Sequence, residues 1–569
     1  MGTFRLATLL VALVTVPATA QNLFPDSLFG TDSRLSANAG GMETFSNFMM
    51  QPDGKIVLGG WDFGAGGTGA FNIMVRFDPC GRIDSTFGTD GIVHHHFDVR
   101  NMGHAFALQP DGKFLAAGVQ APDNSSSSQT PFVARYLASG SPDTTFADTG
   151  THARRFAPGE RGAFYSVERM PDGRILCGGE YAFGGIGLGA MRFMPDGSLD
   201  STFGGDGIVR HDVAASFMRE CYASTFQNGD VVVAGRYLVG GNIAHFIAVG
   251  FDSTGALNPA FGNAGVFVDT VPLGGLTLRN VLVKDLDDRL VMACTREPNA
   301  DGIELVRLTP SGAPDGTFGT NGHVTITGST KNCRGLRLMA DGGYLVLGSD
   351  DGTGFGFAVR LLSDGSMDAS FGNGGYLSVD LIPGSDQLID VVELPNDRLL
   401  FGGWNTDQWM QRYSTQLNVP HISGDTLLLH TTGGISFQWY LDGAPLAGET
   451  DTVLAPIGNG GYSVEVTDDL GCTYMSAVFT ITGIGIGELD GDGFALRVHP
   501  NPAMGAFTVD HPRLPGASFV LANALGDAVL EQRTTGHSTV VDATALPAGP
   551  YIVRLSDGAR AWTGKVMVE

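Results

Sequence analysis

Gly197-Ser-Leu-Asp-Ser-Thr-Phe-Gly-Gly-Asp-Gly207 decides the fold, because it comes back along two-thirds of the chain. Clear copies run from Gly81 to Gly91 (GRIDSTFGTDG), Gly312 to Gly322 (GAPDGTFGTNG) and Gly365 to Gly375 (GSMDASFGNGG). Worn copies lie at 140–150 and 255–265, and a truncated first copy, PDSLFG, centres on Phe29. The central residues are Phe29, Phe87, Phe146, Phe203, Phe261, Phe318 and Phe371, with spacings of 53 to 59 residues. A period of that size is the mark of a repeat architecture.

Each copy has the chemistry of a turn. The Asp three residues before the Phe (positions 84, 143, 200, 315 and 368) is expected to hold backbone N–H groups in an Asx turn. The Phe is expected to wedge between neighbouring modules, and the Gly after it to take a conformation that a side chain forbids. A second landmark is Pro-Asp-Gly at 52–54, 110–112 and 171–173, with apolar runs on both sides, which is a hairpin pattern. A third strand follows (Ile73 to Phe77, Phe132 to Tyr136, Leu305 to Leu308), and a fourth begins after each Phe-Gly turn. Nothing in the repeat has a helical period.

Four short antiparallel strands cannot bury both faces alone, whereas radial stacking of such sheets can. The expected fold is therefore all-β, with a seven-bladed β-propeller over residues 21–415. A closed ring is favoured over an open solenoid, because the count suits a ring and no capping repeat shows.

The chain has 569 residues, with 34 Lys plus Arg against 59 Asp plus Glu, a net charge of −25. That balance argues against nucleic-acid or anionic-membrane partners, which need basic patches. Residues 1–20 read as a signal peptide: Arg5, an apolar run from Leu6 to Val16, then Ala18-Thr19-Ala20 with cleavage between Ala20 and Gln21. No later run is long and apolar enough for a transmembrane segment. The six cysteines show no ligand spacing, and Cys177 stands where other repeats have core residues.

Residues 417–482 change character. Phe437 to Gly443 (FQWYLDG) and Gly461 to Asp468 (GYSVEVTD) are strands with turns, and they resemble immunoglobulin-like or PKD-type sandwich modules. Trp439 is then the core aromatic and Tyr462 begins a late strand. A Gly-rich linker covers 483–494.

Residues 495–569 read as a small C-terminal β-sandwich. Leu496-Arg-Val-His-Pro500-Asn501-Pro502-Ala-Met-Gly505, Leu546-Pro-Ala-Gly549-Pro-Tyr551 and the closing Lys565-Val-Met-Val-Glu569 resemble the type A C-terminal sorting domain of the Bacteroidota type IX secretion system. Pro550 replaces the apolar residue usual in that family, a change a strand start tolerates. The resemblance implies passage through the periplasm, the type IX machinery and its sortase as partners, removal of the tail, and a product secreted or held at the cell surface. The repeats themselves resemble the delta-60 repeat family, which implies architecture and no activity.

A catalytic centre is not expected, since no nucleophile elbow, zinc-protease helix, phosphate loop or dinucleotide fingerprint appears. His94 and His96 share a strand face, but with Asp98 as the only nearby carboxylate the triplet reads as a solvated face. Ca²⁺ needs six to eight converging oxygens. The turn Asp residues are dispersed, and Asp490-Gly-Asp492-Gly493 lacks the closing Glu, so no cofactor is expected. Aromatics recur in the variable loops after the second strand: Trp61, Phe63, Tyr181, Phe183, Tyr237 and Trp404. They are the candidate binding face for a glycan, peptide or other surface ligand, the competing reading being packing between blades. The expected function is an exported, surface-attached, non-catalytic binding or adhesion scaffold. The alternative is a secreted hydrolase or lyase acting on polysaccharide or peptide at the propeller mouth.

Overall fold

The structure is a computed structural model. It describes residues 23–26, 29, 34–36 and 42–569, less 64–68, 124, 183–186, 214–216, 227, 239–243, 274–281, 297–301, 329–330, 381–385, 396, 405–407, 415–420, 425–427, 432–433, 483–495 and 558–560. The chain divides into two compact units, Met1–Leu417 and Asn418–Glu569. Among the described residues there is no α-helix, and one short 3-10 turn occurs at Ser126–Ser128.

The first unit is a β-propeller. Among the described residues its strands form seven successive antiparallel sheets, the first six spanning 42–95, 100–153, 161–212, 217–268, 282–326 and 331–379. Sheet three is typical, with Arg161–Arg169, Ile175–Ala182, Gly187–Phe193 and Ile208–Asp212 in that spatial order. The seventh sheet takes Gln387–Leu394, Arg398–Trp404 and Gln408–Ser414 from the end of the unit and Phe24–Pro25 from its beginning. Phe24 pairs with Ser414 and Pro25 with Tyr413. The strand Gln387–Leu394 also touches Met42–Met50 of sheet one, so the ring is closed by the two ends of the unit. Closure removes the open edge that would otherwise recruit another chain.

The turn motif builds the joints between sheets. Asp200 Oδ1 accepts from the N–H and hydroxyl of Thr202 at 3.0 and 2.6 Å, the expected Asx turn. Its other oxygen accepts from Arg192 Nε at 2.7 Å. Arg192 in turn donates to Ser253 O of the next sheet at 2.8 Å, and its guanidinium lies 4.3 Å over the Phe203 ring. Burial alone would raise the Asp200 pKa, but Thr202, Arg174 and Arg192 outweigh it and hold the carboxyl well below its usual range. The same Arg–Asp–Phe clamp recurs with Arg76, Asp84 and Phe87, with Arg135, Asp143 and Phe146, and with Arg307, Asp315 and Phe318.

The clamp of the seventh sheet is split across the chain. Arg412 binds Asp26 at 2.8 Å, reaches Pro79 O of sheet one, and lies over Phe29. The truncated copy PDSLFG is thus the end of the last sheet, delivered from the other terminus. Each Phe is buried in the core between its own sheet and the next, Phe203 with sheets three and four and Phe29 with sheets seven and one.

A feature absent from the sequence reading sits in the first strands. In six sheets the pairing of the first with the second strand slips, at Phe45/Asn47, Gly103/Ala105, Phe164/Ser166, Arg219/Tyr222, Cys333/Gly335 and Leu388/Asp390. Such bulges re-aim side chains and increase twist. Here they set up joints: the side chain after the bulge takes an N–H of the following sheet, Asn47 Oδ1 from Phe106 at 2.9 Å and Asp390 Oδ2 from Phe48 at 2.8 Å.

The second unit contains two pairs of packed sheets. In the first pair Trp439 and Tyr462 are fully buried, and the Tyr462 hydroxyl donates to Gly458 O at 2.8 Å. In the second, a three-stranded sheet (Arg497–His499, Ala506–Asp510, Ser538–Asp542) faces a four-stranded one (Ala528–Arg533, Ser518–Ala522, Gly549–Ser556, Ala561–Val568) over a core that includes Phe507, Phe519 and Trp562.

Candidate functional site

In the propeller sheets that carry the predicted aromatics the first strand starts beside the end of the second, as in the pairs Met42–Phe63, Arg161–Ala182, Phe217–Leu238 and Gln387–Trp404. The predicted aromatics therefore share one loop face. Their exposures differ. Phe63 is 36% exposed, with its ring edge-on to Trp61 at 4.8 Å. Trp61, Tyr237 and Trp404 are half-buried, Trp61 against Met102 and Val119. Tyr181 is 1% exposed, packed on Phe156 and beneath Arg210, so it offers no open ring to a ligand. Phe183 lies outside the described residues, as do Ala20 and Gln21 of the expected cleavage site.

The same face carries carboxylates that the sequence reading passed over. In sheet three, Arg210 donates to Glu160 Oε1 at 2.7 Å and lies 4.5 Å over the Tyr181 ring, while Tyr181 Oη donates to Asp212 Oδ1 at 2.8 Å. Burial pushes the Tyr181 hydroxyl pKa well up, so it stays a donor. Glu160 is 4% exposed, and its Oε2 has no partner among the described residues.

In sheet one Asp62 is also 4% exposed, with Oδ2 3.8 Å from His94 Nδ1 and Oδ1 unpartnered among the described residues. Burial raises its pKa, against the pull of His94 and His96. Between sheets four and five, His323 Nδ1 lies 3.1 Å from Glu304 and Nε2 4.0 Å from Asp269, whose Oδ2 is unpartnered among the described residues. The Glu304 bond raises the His323 pKa.

Of the His triplet, His94 and His96 are exposed, as expected of a solvated strand face, and His95 is half-buried. His94 faces Asp62, His95 Nδ1 meets Tyr136 Oη at 3.0 Å, and His96 stacks on Phe71 at 3.6 Å. Asp62 lies 32 positions before His94 and reaches it through strand register, which no spacing rule reveals. Asp98 instead binds the Val99 N–H and Gln120. Among the described residues no three His, Cys, Asp or Glu side chains gather as a metal site. Asp490 and Asp492 lie outside the described residues. Beneath the face lie buried hydrogen-bond acceptors, carboxylate oxygens closed to solvent and of the kind that pair with hydroxyl or ammonium donors.

The C-terminal motif residues converge. Asn501 donates to Lys565 O at 3.0 Å and accepts from Met567 N at 2.8 Å, matching the backbone of the last strand as a neighbouring strand would. Ala503 completes the seal through its N–H to Met567 O and its carbonyl from Glu569 N. Pro500 and Pro502 flank Asn501, and Gly505 turns the chain at φ +95° into the strand Ala506–Asp510. Gly549 opens the strand carrying Tyr551, whose hydroxyl donates to Pro547 O at 2.8 Å. Lys565 is half-buried, its Nζ 3.3 Å from Pro456 O, and burial lowers its pKa.

Residues 497–569 match the family described as the secretion system C-terminal sorting domain. Residues 51–87, 109–146 and 171–203 match the domain of unknown function DUF5122 β-propeller. No curated protein matches the chain in sequence. Among solved structures, a streptogramin B lyase aligns at 10% identity and TM-score 0.40, over 70% of this chain and 99% of that one. A PL25 ulvan lyase aligns at 10% identity and TM-score 0.36, over 69% and 95%. A protein of unknown function from Dyadobacter fermentans aligns at 12% identity and TM-score 0.34, over 62% and 97%. Likeness at this level says nothing about activity. The chain thus carries a type IX sorting tail on an all-β propeller, and its destination is the cell surface or the medium. Among the described residues no helix is long and apolar enough to cross a membrane.

Proposed function

We propose that the protein is an exported, non-catalytic binding scaffold whose propeller loop face takes a hydroxyl-rich ligand of the glycan type. In this reading the ring is seven-bladed, residues 417–482 form an immunoglobulin-like spacer, and the tail is an address. Signal cleavage follows Ala20, and the sorting machinery removes the tail. The reading rests on one observation: Asp62, Glu160 and Asp269, on one face, each keep a buried carboxylate oxygen that lacks a partner among the described residues. A buried acceptor left unmade is costly, and a ligand hydroxyl relieves that cost.

A glycosidase needs two carboxylates opposed across a cleft. Asp62 and Glu160 belong to different sheets, and where two carboxylates do come near each other a basic side chain stands between them, Arg210 between Glu160 and Asp212 and His323 between Glu304 and Asp269. That arrangement favours binding over hydrolysis. A glycan array with the full-length protein tests the reading, alongside the Glu160→Gln and Asp62→Asn variants. Saturable binding to a glycan class, weakened about tenfold by either substitution, is expected for one charge-assisted hydrogen bond. Binding to no class, or hydrolysis of an array sugar, overturns it.

A further inference from the structure

The sorting domain contains a polar cavity of about 400 Å³ at one end of its four-stranded sheet. Strand register explains how it forms. Ser518 pairs with Arg533 on one side and Ser556 on the other, so three strand ends line up in a row. The 513–517 loop arches over this row. Thr534 holds it twice, donating its N–H to Ala517 O at 3.0 Å and accepting from Gly516 N at 2.8 Å. The Thr534 hydroxyl also donates to Leu514 O, and Arg533 Nη1 donates to Gly516 O at 2.9 Å. The cavity wall is therefore built before any ligand arrives.

Its charge is unlike that of the rest of the chain. Arg513 and Arg533 both line the cavity. Arg513 has no bonding partner among the described residues, and Arg533 spends only Nη1 on the loop. Asp557, the one carboxylate in the lining, is already engaged with another group. Residues 496–569 hold six Lys plus Arg and six Asp plus Glu, so the whole excess of −25 belongs to the preceding chain. An anion repelled by the body meets a neutral domain with two guanidinium groups facing one polar hollow. Paired guanidinium forks match the oxygens of phosphate.

We infer that this cavity is a binding site for a phosphate-bearing anion, taken either as a free phosphate or as a phosphorylated lipid headgroup. The site is separate from the propeller face and independent of the glycan reading.

The test uses the full-length protein. Inorganic phosphate is titrated by calorimetry, and flotation is compared on vesicles of phosphatidylcholine with and without phosphatidylglycerol. Saturable phosphate binding is expected. Arg513→Gln should weaken it about tenfold or more, as loss of one charged partner predicts. Because Arg513 is exposed and unbonded, that variant should melt like the parent. Arg533→Lys, which keeps charge and loses the fork, should weaken binding by a smaller factor, and Arg497→Gln should leave it unchanged. Flotation confined to the phosphatidylglycerol vesicles and competed by phosphate identifies a headgroup; phosphate binding without flotation identifies a soluble anion. Absence of saturable phosphate binding, or binding that Arg513→Gln leaves unchanged, overturns the inference.

Discussion

In sheet three, Arg192 reaches Asp200 at 2.7 Å and Ser253 O at 2.8 Å and covers Phe203; in sheet four the same three places hold Gly250, Asn258 and Phe261. Asn258 keeps the turn, accepting from Ala260 N at 3.0 Å, and gives its amide to Asp230 at 3.1 Å. The Phe261 ring drops into the space the Arg vacates, so a Cβ on Gly250 would meet it at 2.5 Å. The backbone joint survives in both: Gly204 N donates to Thr254 O at 2.8 Å, and Gly262 N to Ser311 O at 2.7 Å. The apolar wedge and the backbone bond are thus common to the two joints, whereas the cation and the carboxylate are present together or absent together. Removing one partner of a buried pair leaves an uncompensated charge, while replacing both can be nearly neutral.

That contrast can be broken by mutation. Arg192→Ala should destabilise the propeller by about 2–3 kcal/mol: Asp200 keeps Arg174 at 2.9 Å and Thr202, but the buried carboxylate loses one charged donor and Ser253 O loses its own. The double variant Arg192→Gly, Asp200→Asn, which puts the sheet-four residues at both places, should recover part of the loss, Arg174 keeping Asp172 as its partner. Urea unfolding of both variants supplies the two numbers, and a double variant as unstable as the single one contradicts the pairing argument.

Acid sharpens the same comparison. Asp84, Asp143 and Asp200 all have folded pKa values held below the usual carboxylate range, where bonds to Thr and to Lys or Arg outweigh burial. A depressed folded pKa contributes stability that is fully present above the unfolded value of about 4 and lost as pH falls through the folded values. The urea midpoint should therefore hold near neutrality and drop below about pH 4. It should drop less steeply in the Arg192→Gly, Asp200→Asn variant, which has one clamp fewer.

A smaller effect is expected in the second unit, where a neutral amide does the joining. Asn501→Ala frees Lys565 O and Met567 N at an exposed edge, and should cost about 1–2 kcal/mol. Hydrogen exchange at the Met567 amide should rise with little change in the strand Ser518–Ala522.

Much of this was legible in the sequence, and the remainder has physical causes. The Asp, Phe and Gly of the turn lie within four positions of each other, so their roles follow from local geometry. Arg76, Arg135 and Arg307 stand in the quoted third strands, yet their role depends on which carboxylate faces them once strand and turn fold together. Phe29 was read as opening the first repeat. Only closure of the ring shows that it completes the last, with Arg412 almost the whole unit away. The half-bonded carboxylates Asp62 and Glu160 lie in no motif, since burial rather than spacing distinguishes them. Tyr181 looked like a loop aromatic because its neighbours in sequence are Gly-rich, but Arg210 and Phe156 cover it from elsewhere on the chain. The sorting motif was legible as a string of residues; that Asn501 seals the last strand was not.

The most direct measurement is the location of the protein after residues 495–569 are deleted in the producing bacterium. The account predicts a folded propeller, with its midpoint in urea unchanged, retained in the periplasm. Delivery of that truncation to the cell surface or medium at the level of the intact chain would contradict it.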